Sequence, residues 1–218
     1  MEITTELLLS AYMQGIFPMA ESADADDIYW VDPELRGIFP LSDFHIPKKL
    51  VKTIKAEPFQ VKINTAFRDV MHKCAATTGH PDRSNTWINE TILNHYGELH
   101  DLGYAHSVEC WQGKNLVGGL YGVSLNGAFC GESMFHEVTD ASKIALVYLV
   151  ARLKFGGFKL LDTQYITKHL SQFGAIEIPR KEYRARLNDA LSYDQTDFYS
   201  LPADADGSTI LQSVTQTS

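Results

Sequence analysis

Residues 141–153 (Ala-Ser-Lys-Ile-Ala-Leu-Val-Tyr-Leu-Val-Ala-Arg-Leu) are apolar on nearly every side when wound as a helix, with Ile144, Leu146, Val147, Leu149 and Val150 spread around the axis. A helix of this kind cannot lie on a wet surface. It has to be enclosed between layers. The preceding segments supply a layer: Ala105–Trp111, Asn115–Ser124 and Ala128–Met134 alternate or run apolar as strands, and Asn126-Gly127 is a short hairpin signal between the last two. Beyond the helix, Gly156-Gly157 leads into another strand, Phe158–Gln164. Hairpin, buried helix and strand in this order predict a mixed sheet in an α+β chain.

The remaining elements are read from caps and stops. Thr5–Met13 is a helix with Gly15 past its end, residues 48–56 form a helix ending before Pro58, and Phe59–Ile63 is a strand. Residues 66–76 are helical, and Gly79–Asp82 is a loop. Thr86–Leu102 is a helix with Ile88, Ile92, Tyr96 and Leu99 on one stripe, Asp140 caps the enclosed helix, and residues 181–191 form the last helix. Residues 16–47 hold four prolines and read as irregular structure with short strands. Residues 196–218 are rich in Ser, Thr and Asp and read as a flexible tail. The expected domain division is 1–45, 46–195 and the tail.

Charge excludes some functions and locates others. With 19 Lys and Arg against 27 Asp and Glu, a net −8, the whole molecule has no general attraction for nucleic acid. Residues 21–34 carry only acids, while Lys48, Lys49, Lys52 and Lys55 form a basic run. Lys48, Lys52 and Lys55 share one helical face, which is either a solvated surface or a phosphate contact. No apolar run reaches the roughly 18 residues of a membrane span, and residues 1–6 carry two acids and no base, unlike a signal peptide. Three scattered cysteines form no CxxC and no disulfide framework, so a reducing, cytoplasmic setting is expected. The eight histidines make no metal-binding spacing, and no metal is expected.

Two segments hold candidate chemistry: Gly131-Glu132-Ser133-Met134-Phe135 and Leu160-Leu161-Asp162-Thr163-Gln164. An acid between leucines in a strand is costly unless hydrogen-bonded. Asp162 and Gln164 share a strand face, so they make either a buried structural hydrogen bond or a site.

These segments belong to a longer pattern. Tyr12-Met13-Gln14-Gly15-Ile16-Phe17-Pro18, Trp87-Ile88, His106 to Trp111, Leu116 to Gly122, Gly131 to Phe135, Ala141-Ser142-Lys143, Asp162-Thr163-Gln164 and Phe173-Gly174-Ala175 stand in order along residues 7–191. Together they resemble the leucyl/phenylalanyl-tRNA–protein transferases. The resemblance implies a small N-terminal domain packed on an acetyltransferase-like mixed-sheet domain. It also implies transfer of Leu or Phe, less well Met, from aminoacyl-tRNA to proteins beginning with Lys or Arg, which marks them for proteolysis. It implies no cofactor, and a monomer is expected.

Residue by residue, the resemblance assigns Asp162 and Gln164 to catalysis, as a proton relay or by positioning alone, and makes Glu132 a site acid, read here as the catalytic residue that holds the cationic acceptor end. Leu120, Phe129, Met134, Leu146 and Leu149 become the donor side-chain pocket, although read alone they are core. Trp30, Trp87 and Tyr96 fall around the terminal adenosine, and the basic run becomes the tRNA contact. Three positions depart from the family pattern: Met19 for Trp, Thr163 for Cys and His136 for Ser. Threonine cannot supply thiolate chemistry unaided, which argues against a nucleophilic role at that position. The other readings are a coenzyme A-dependent N-acyltransferase and a non-catalytic binder of tRNA or peptide. The first is disfavoured because residues 134–140 hold two acids and no glycine with which to cradle a pyrophosphate.

Overall fold

Thr4 begins the first helix by accepting the Leu7 N–H on its side chain, and Gly15 at φ +81° ends it. That helix is α1 (Thr5–Met13). The computed structural model describes residues 3–25, 27–76 and 86–215, so the expected loop at 79–82 lies outside the described residues. After α1 come β1 (Phe17–Ala20), β2 (Ile28–Val31), β3 (Leu35–Phe39), α2 (Lys48–Lys55), β4 (Gln60–Ile63), α3 (Phe67–Ala75) and α4 (Glu90–Asp101). The chain continues through β5 (Ala105–Gln112), β6 (Asn115–Leu125), β7 (Ala128–His136), α5 (Ala141–Phe155), β8 (Leu160–Gln164), α6 (Lys168–Ser171), β9 (Ile176–Pro179), α7 (Arg180–Leu191) and α8 (Gly207–Thr215).

Strands β1 and β2 pair as a ribbon. The other seven form one mixed sheet in the order β4-β5-β6-β7-β8-β3-β9. Every neighbour is antiparallel except β7 and β8, the parallel pair that α5 connects. The enclosed helix is as expected: α5 buries Ile144, Leu146, Val147, Leu149 and Val150 between the sheet and α8. Helices α1, α3 and α4 cover the opposite face, where Tyr12, Val70, Ile92, Tyr96 and Tyr121 make a second core.

Four expectations are corrected. Strand β3 lies between β8 and β9, so residues 35–39 belong to the main sheet rather than to a 1–45 unit. Helix α4 begins at Glu90 and not Thr86, because the Asn89 side chain accepts the Ile92 N–H and so makes the cap. Asp140 precedes α5 in a left-handed conformation, φ 68°, but its carboxylate takes the Lys143 ammonium at 2.7 Å instead of capping.

The fourth correction concerns the tail. Residues 196–215 form a strap over α5 that ends in α8, with Phe198, Leu201, Ile210, Leu211 and Val214 buried. Arg152 fastens it by donating to the carbonyls of Phe198 (2.9 Å) and Leu201 (2.7 Å). Asp206 caps α8 through the Thr209 N–H. Gly156 gives the strap its path, since a Cβ there would stand 2.3 Å from the Asp197 carbonyl oxygen. Gly156→Ala is therefore expected to cost about 1–3 kcal/mol by overpacking against backbone, read as a lower urea midpoint at unchanged slope.

Candidate active site

The parallel ladder of β7 and β8 ends at Cys130 opposite Asp162. Beyond it β7 runs on to His136, while β8 stops at Gln164. The strands part there, and Glu132, Asp162 and Gln164 all lie at the parting.

Asp162 is fully buried and crowded by donors. Arg36 grips it with two parallel hydrogen bonds, Nε to Oδ1 at 2.8 Å and Nη2 to Oδ2 at 2.6 Å. Tyr183 Oη donates to Oδ2 at 3.0 Å, and the Gln164 backbone N–H donates to Oδ1 at 2.9 Å. The Gln164 side-chain amide reaches Oδ2 at 3.4 Å. A carboxylate offers about four lone pairs, and the donors around this one fill them. Asp162 is fixed in place.

Arg36 is itself held on every side. Its Nη1 donates to the Gly15 carbonyl at 2.9 Å, and its guanidinium lies between the rings of Phe17 (4.4 Å) and Tyr183 (4.5 Å). Burial works against its charge, but Asp162 outweighs that and holds the guanidinium more firmly protonated than usual. The turn that ends α1 is thereby tied to the end of β8. Gln164 takes φ 54°, which is unusual outside glycine and folds its amide back over Asp162.

Glu132 sits on a bulge in β7 and receives Tyr12 Oη at 2.7 Å and Tyr96 Oη at 3.5 Å. The two phenols also touch each other. Burial, partly offset by the Tyr12 hydrogen bond and reinforced by the nearby Asp162 charge, pushes the Glu132 carboxyl up to about 8. Both phenols are raised well above their usual value, first by burial and then by Glu132.

The other expected residues divide between the two faces of the sheet. Leu120, Phe129, Leu146 and Leu149 are at most 3% exposed and share the α5-side cluster, with half-buried Met134 against it. Their exposure does not separate pocket wall from core. Trp30 on β2 is 39% exposed, and Trp87 is half-buried against the opposite cluster, where its carbonyl accepts from the Ala20 N–H. Tyr96 is buried and perpendicular to Tyr12 and Tyr121, with its hydroxyl toward Glu132. Lys48, Lys49, Lys52 and Lys55 are all exposed on α2, whose Leu50 and Ile54 anchor it inward. Among the described residues, none of the four lysines forms a salt bridge.

Three members of the network, Tyr12, Arg36 and Tyr183, have no role that the sequence reading assigns. A signal exists for Arg36, a lone charge inside the apolar run Leu35-Arg36-Gly37-Ile38-Phe39. Among the described residues, no group of three or more His, Cys, Asp or Glu could hold a metal ion.

A family model described as leucyl/phenylalanyl-tRNA protein transferase matches residues 38–188, and one described as the N-terminal domain of that protein matches residues 1–34. Residues beyond 188 lie outside both matches. Curated relatives carrying the name leucyl/phenylalanyl-tRNA–protein transferase span nearly the whole chain. That of Phenylobacterium zucineum is 55% identical over 97% of this chain and 96% of its own length. That of Maricaulis maris is 54% identical over 98% and 97%, and that of Caulobacter vibrioides 52% over 99% and 98%.

Proposed function

The chain belongs to the leucyl/phenylalanyl-tRNA protein transferase family, and we propose on that premise that its parted β7–β8 site moves Leu or Phe, less well Met, from charged tRNA to an N-terminal Lys or Arg. It is an aminoacyltransferase with a tRNA and a protein as substrates. The product carries a new N-terminal residue that a proteolytic system reads.

The chemistry asks for positioning more than for a strong base. The acceptor nitrogen attacks the ester carbonyl carbon, and an amide C–N bond forms. The bond from that carbon to the ribose oxygen breaks, and the proton shed by the amine ends on that oxygen. An α-amine has a pKa near 7.7–8.0, so roughly a tenth or more of it is neutral at pH 7. The observation that carries the reading is the saturated Asp162 carboxylate. It takes the Gln164 amide N–H and so turns the Gln164 carbonyl oxygen toward the incoming amine, whose N–H it accepts. Glu132, across the parting, meets the cationic side chain of the acceptor and gives up its proton as that cation arrives. The donor side chain enters the cluster of Leu120, Phe129, Met134, Leu146 and Leu149, and Trp30 and Trp87 stand at the terminal adenosine. All three cysteines are buried and outside any disulfide. That suits a reducing compartment, and we assign the protein to the cytoplasm as a monomer. Among the described residues no helix is long and apolar enough to cross a membrane.

Transfer of radiolabelled Leu from charged tRNA to a peptide beginning with Arg tests the reading, with a peptide beginning with Asp beside it. Label on the Arg peptide alone is the expected result, and Gln164→Ala is expected to remove at least 10²-fold of it, the scale of lost positioning. Label on neither peptide would sink the reading.

The lysine face of α2 makes a separate prediction. Each phosphate contact contributes about 0.7–0.9 to the slope of log affinity against log salt. Lys48→Ala, Lys52→Ala and Lys55→Ala combined should flatten that slope for tRNA by about 2–3 and leave the peptide KM alone. An unchanged slope would return these lysines to ordinary solvated surface.

A further inference from the structure

The strap over α5 has a side chain in the wrong place for a mere fastening. Phe198 does not rest on the outside of the cluster but is inserted between two rings of the sheet. Its ring lies parallel to Phe129 of β7, centroids 5.7 Å apart at 10°, and parallel to His106 of β5, centroids 4.1 Å apart at 11°. All three side chains are buried. Burial lowers His106 to about 4, so a neutral ring closes the stack from behind. Arg152 holds the Phe198 carbonyl and lies 5.5 Å from the centre of its ring, and the Tyr199 hydroxyl accepts from Asn64 beside His106. Both the backbone and the ring of Phe198 are therefore fixed.

Phe129 in turn has little freedom. A Cβ on Gly122 would stand 2.4 Å from the Phe129 ring, so the ring lies directly over the backbone of β6 and cannot move that way. Phe198 packs against the ring as a parallel neighbour.

We propose that Phe198 is a specificity-determining residue that acts through Phe129: it is the backstop that sets how deep the donor side chain can enter. The inference rests on the reading of Leu120, Phe129, Leu146 and Leu149 as the donor pocket. Phe198 lies outside the residues that the two family models match, so depth is set by a part of the chain that the shared catalytic core does not include. Interiors packed to crystal-like density pass a volume change to the next neighbour. Removing ring volume behind Phe129 should let that ring retreat and make room for a bulkier donor.

The experiment measures kcat/KM for Leu-tRNA and for Phe-tRNA with one Arg-starting peptide, in wild type, Phe198→Leu and Phe129→Leu. Leucine keeps position 198 apolar and filled enough to fold, and a urea melt of each variant accompanies the kinetics. Expected for Phe198→Leu is a rise of about tenfold in the Phe-to-Leu ratio, the scale of a methylene-sized change in an apolar pocket, with the peptide KM unchanged. A purely structural defect lowers both donors together and leaves their ratio alone. That outcome for Phe198→Leu, with Phe129→Leu still shifting the ratio, would overturn the backstop and leave the pocket standing. An unshifted ratio in both variants would overturn the pocket reading and the backstop with it. A shift in Phe198→Leu without one in Phe129→Leu would overturn the route through Phe129. A wild-type protein transferring neither amino acid would remove the premise and the inference together.

Discussion

Arg36→Met alone is expected to cost about 3–5 kcal/mol of stability, because it leaves the Asp162 carboxylate buried without its partner. The pair is wholly enclosed, with 2% and 0% of the two side chains exposed. Removing one partner strands a charge where water cannot reach it. Removing both does not. Arg36→Met combined with Asp162→Leu should recover much of the loss, since two apolar side chains can fill what the ion pair filled. Transfer behaves differently. Both variants should be inactive: the single variant lets the carboxylate swing away from Gln164, and the double variant has no carboxylate to turn it. Urea denaturation at pH 7 beside the peptide-transfer assay separates the two effects. Full transfer by the folded double variant would remove Asp162 from the mechanism.

Glu132→Gln should weaken the enzyme and strengthen the fold. The side chain titrates near 8 in the folded protein and near its ordinary value, about 4.3, when unfolded. Well below about pH 4.3 it is protonated in both states and has no effect on their balance. Between the unfolded and folded values the folded form keeps a proton that the unfolded form has released, so stability falls as pH rises, and above the folded value the loss is complete. Its size is roughly 5 kcal/mol. The glutamine variant has no such slope and should be the more stable protein at alkaline pH. It should also lose at least tenfold in kcat/KM for an Arg-starting peptide, since an amide cannot pair with a cation. Equal pH profiles of stability in the two proteins would show that Glu132 is not held protonated.

Local signals are legible wherever a cap and a stop coincide. Helix α1 spans Thr5–Met13 with Gly15 past its end, as expected, and the even apolarity of residues 141–153 requires the enclosure that α5 has. Asp162 stands out as an acid between leucines, and its pairing with Gln164 through an amide accords with their spacing. Arg36 stands out only as a lone charge in an apolar run, which does not say what it pairs with. Its partner is 126 residues away, and no periodicity reports that distance. Helix α8 is hidden for a different reason. Its surroundings are polar in composition, yet Ile210, Leu211 and Val214 come after the Asp206 cap at helical spacing. The average conceals a stripe. Tyr96 lies beside Glu132, and the sequence tells that it is near the site but not which end of its side chain faces it.

The position of β3 governs when the enzyme can exist. A strand made at residues 35–39 can pair only with β8 and β9, whose last ladder partner is residue 179. During synthesis it waits unpaired while most of the sheet emerges, and its two neighbours then close on it late. Pairings so distant in sequence carry a high entropic cost before they return any contact energy, and they slow folding. Arg36 rides on that strand, so the clamp on Asp162 closes at the same late moment. A nascent chain released before β9 should therefore hold a folded β5–β6–β7 meander and no transferase activity, and the slowest refolding phase of the whole chain should coincide with the return of catalysis.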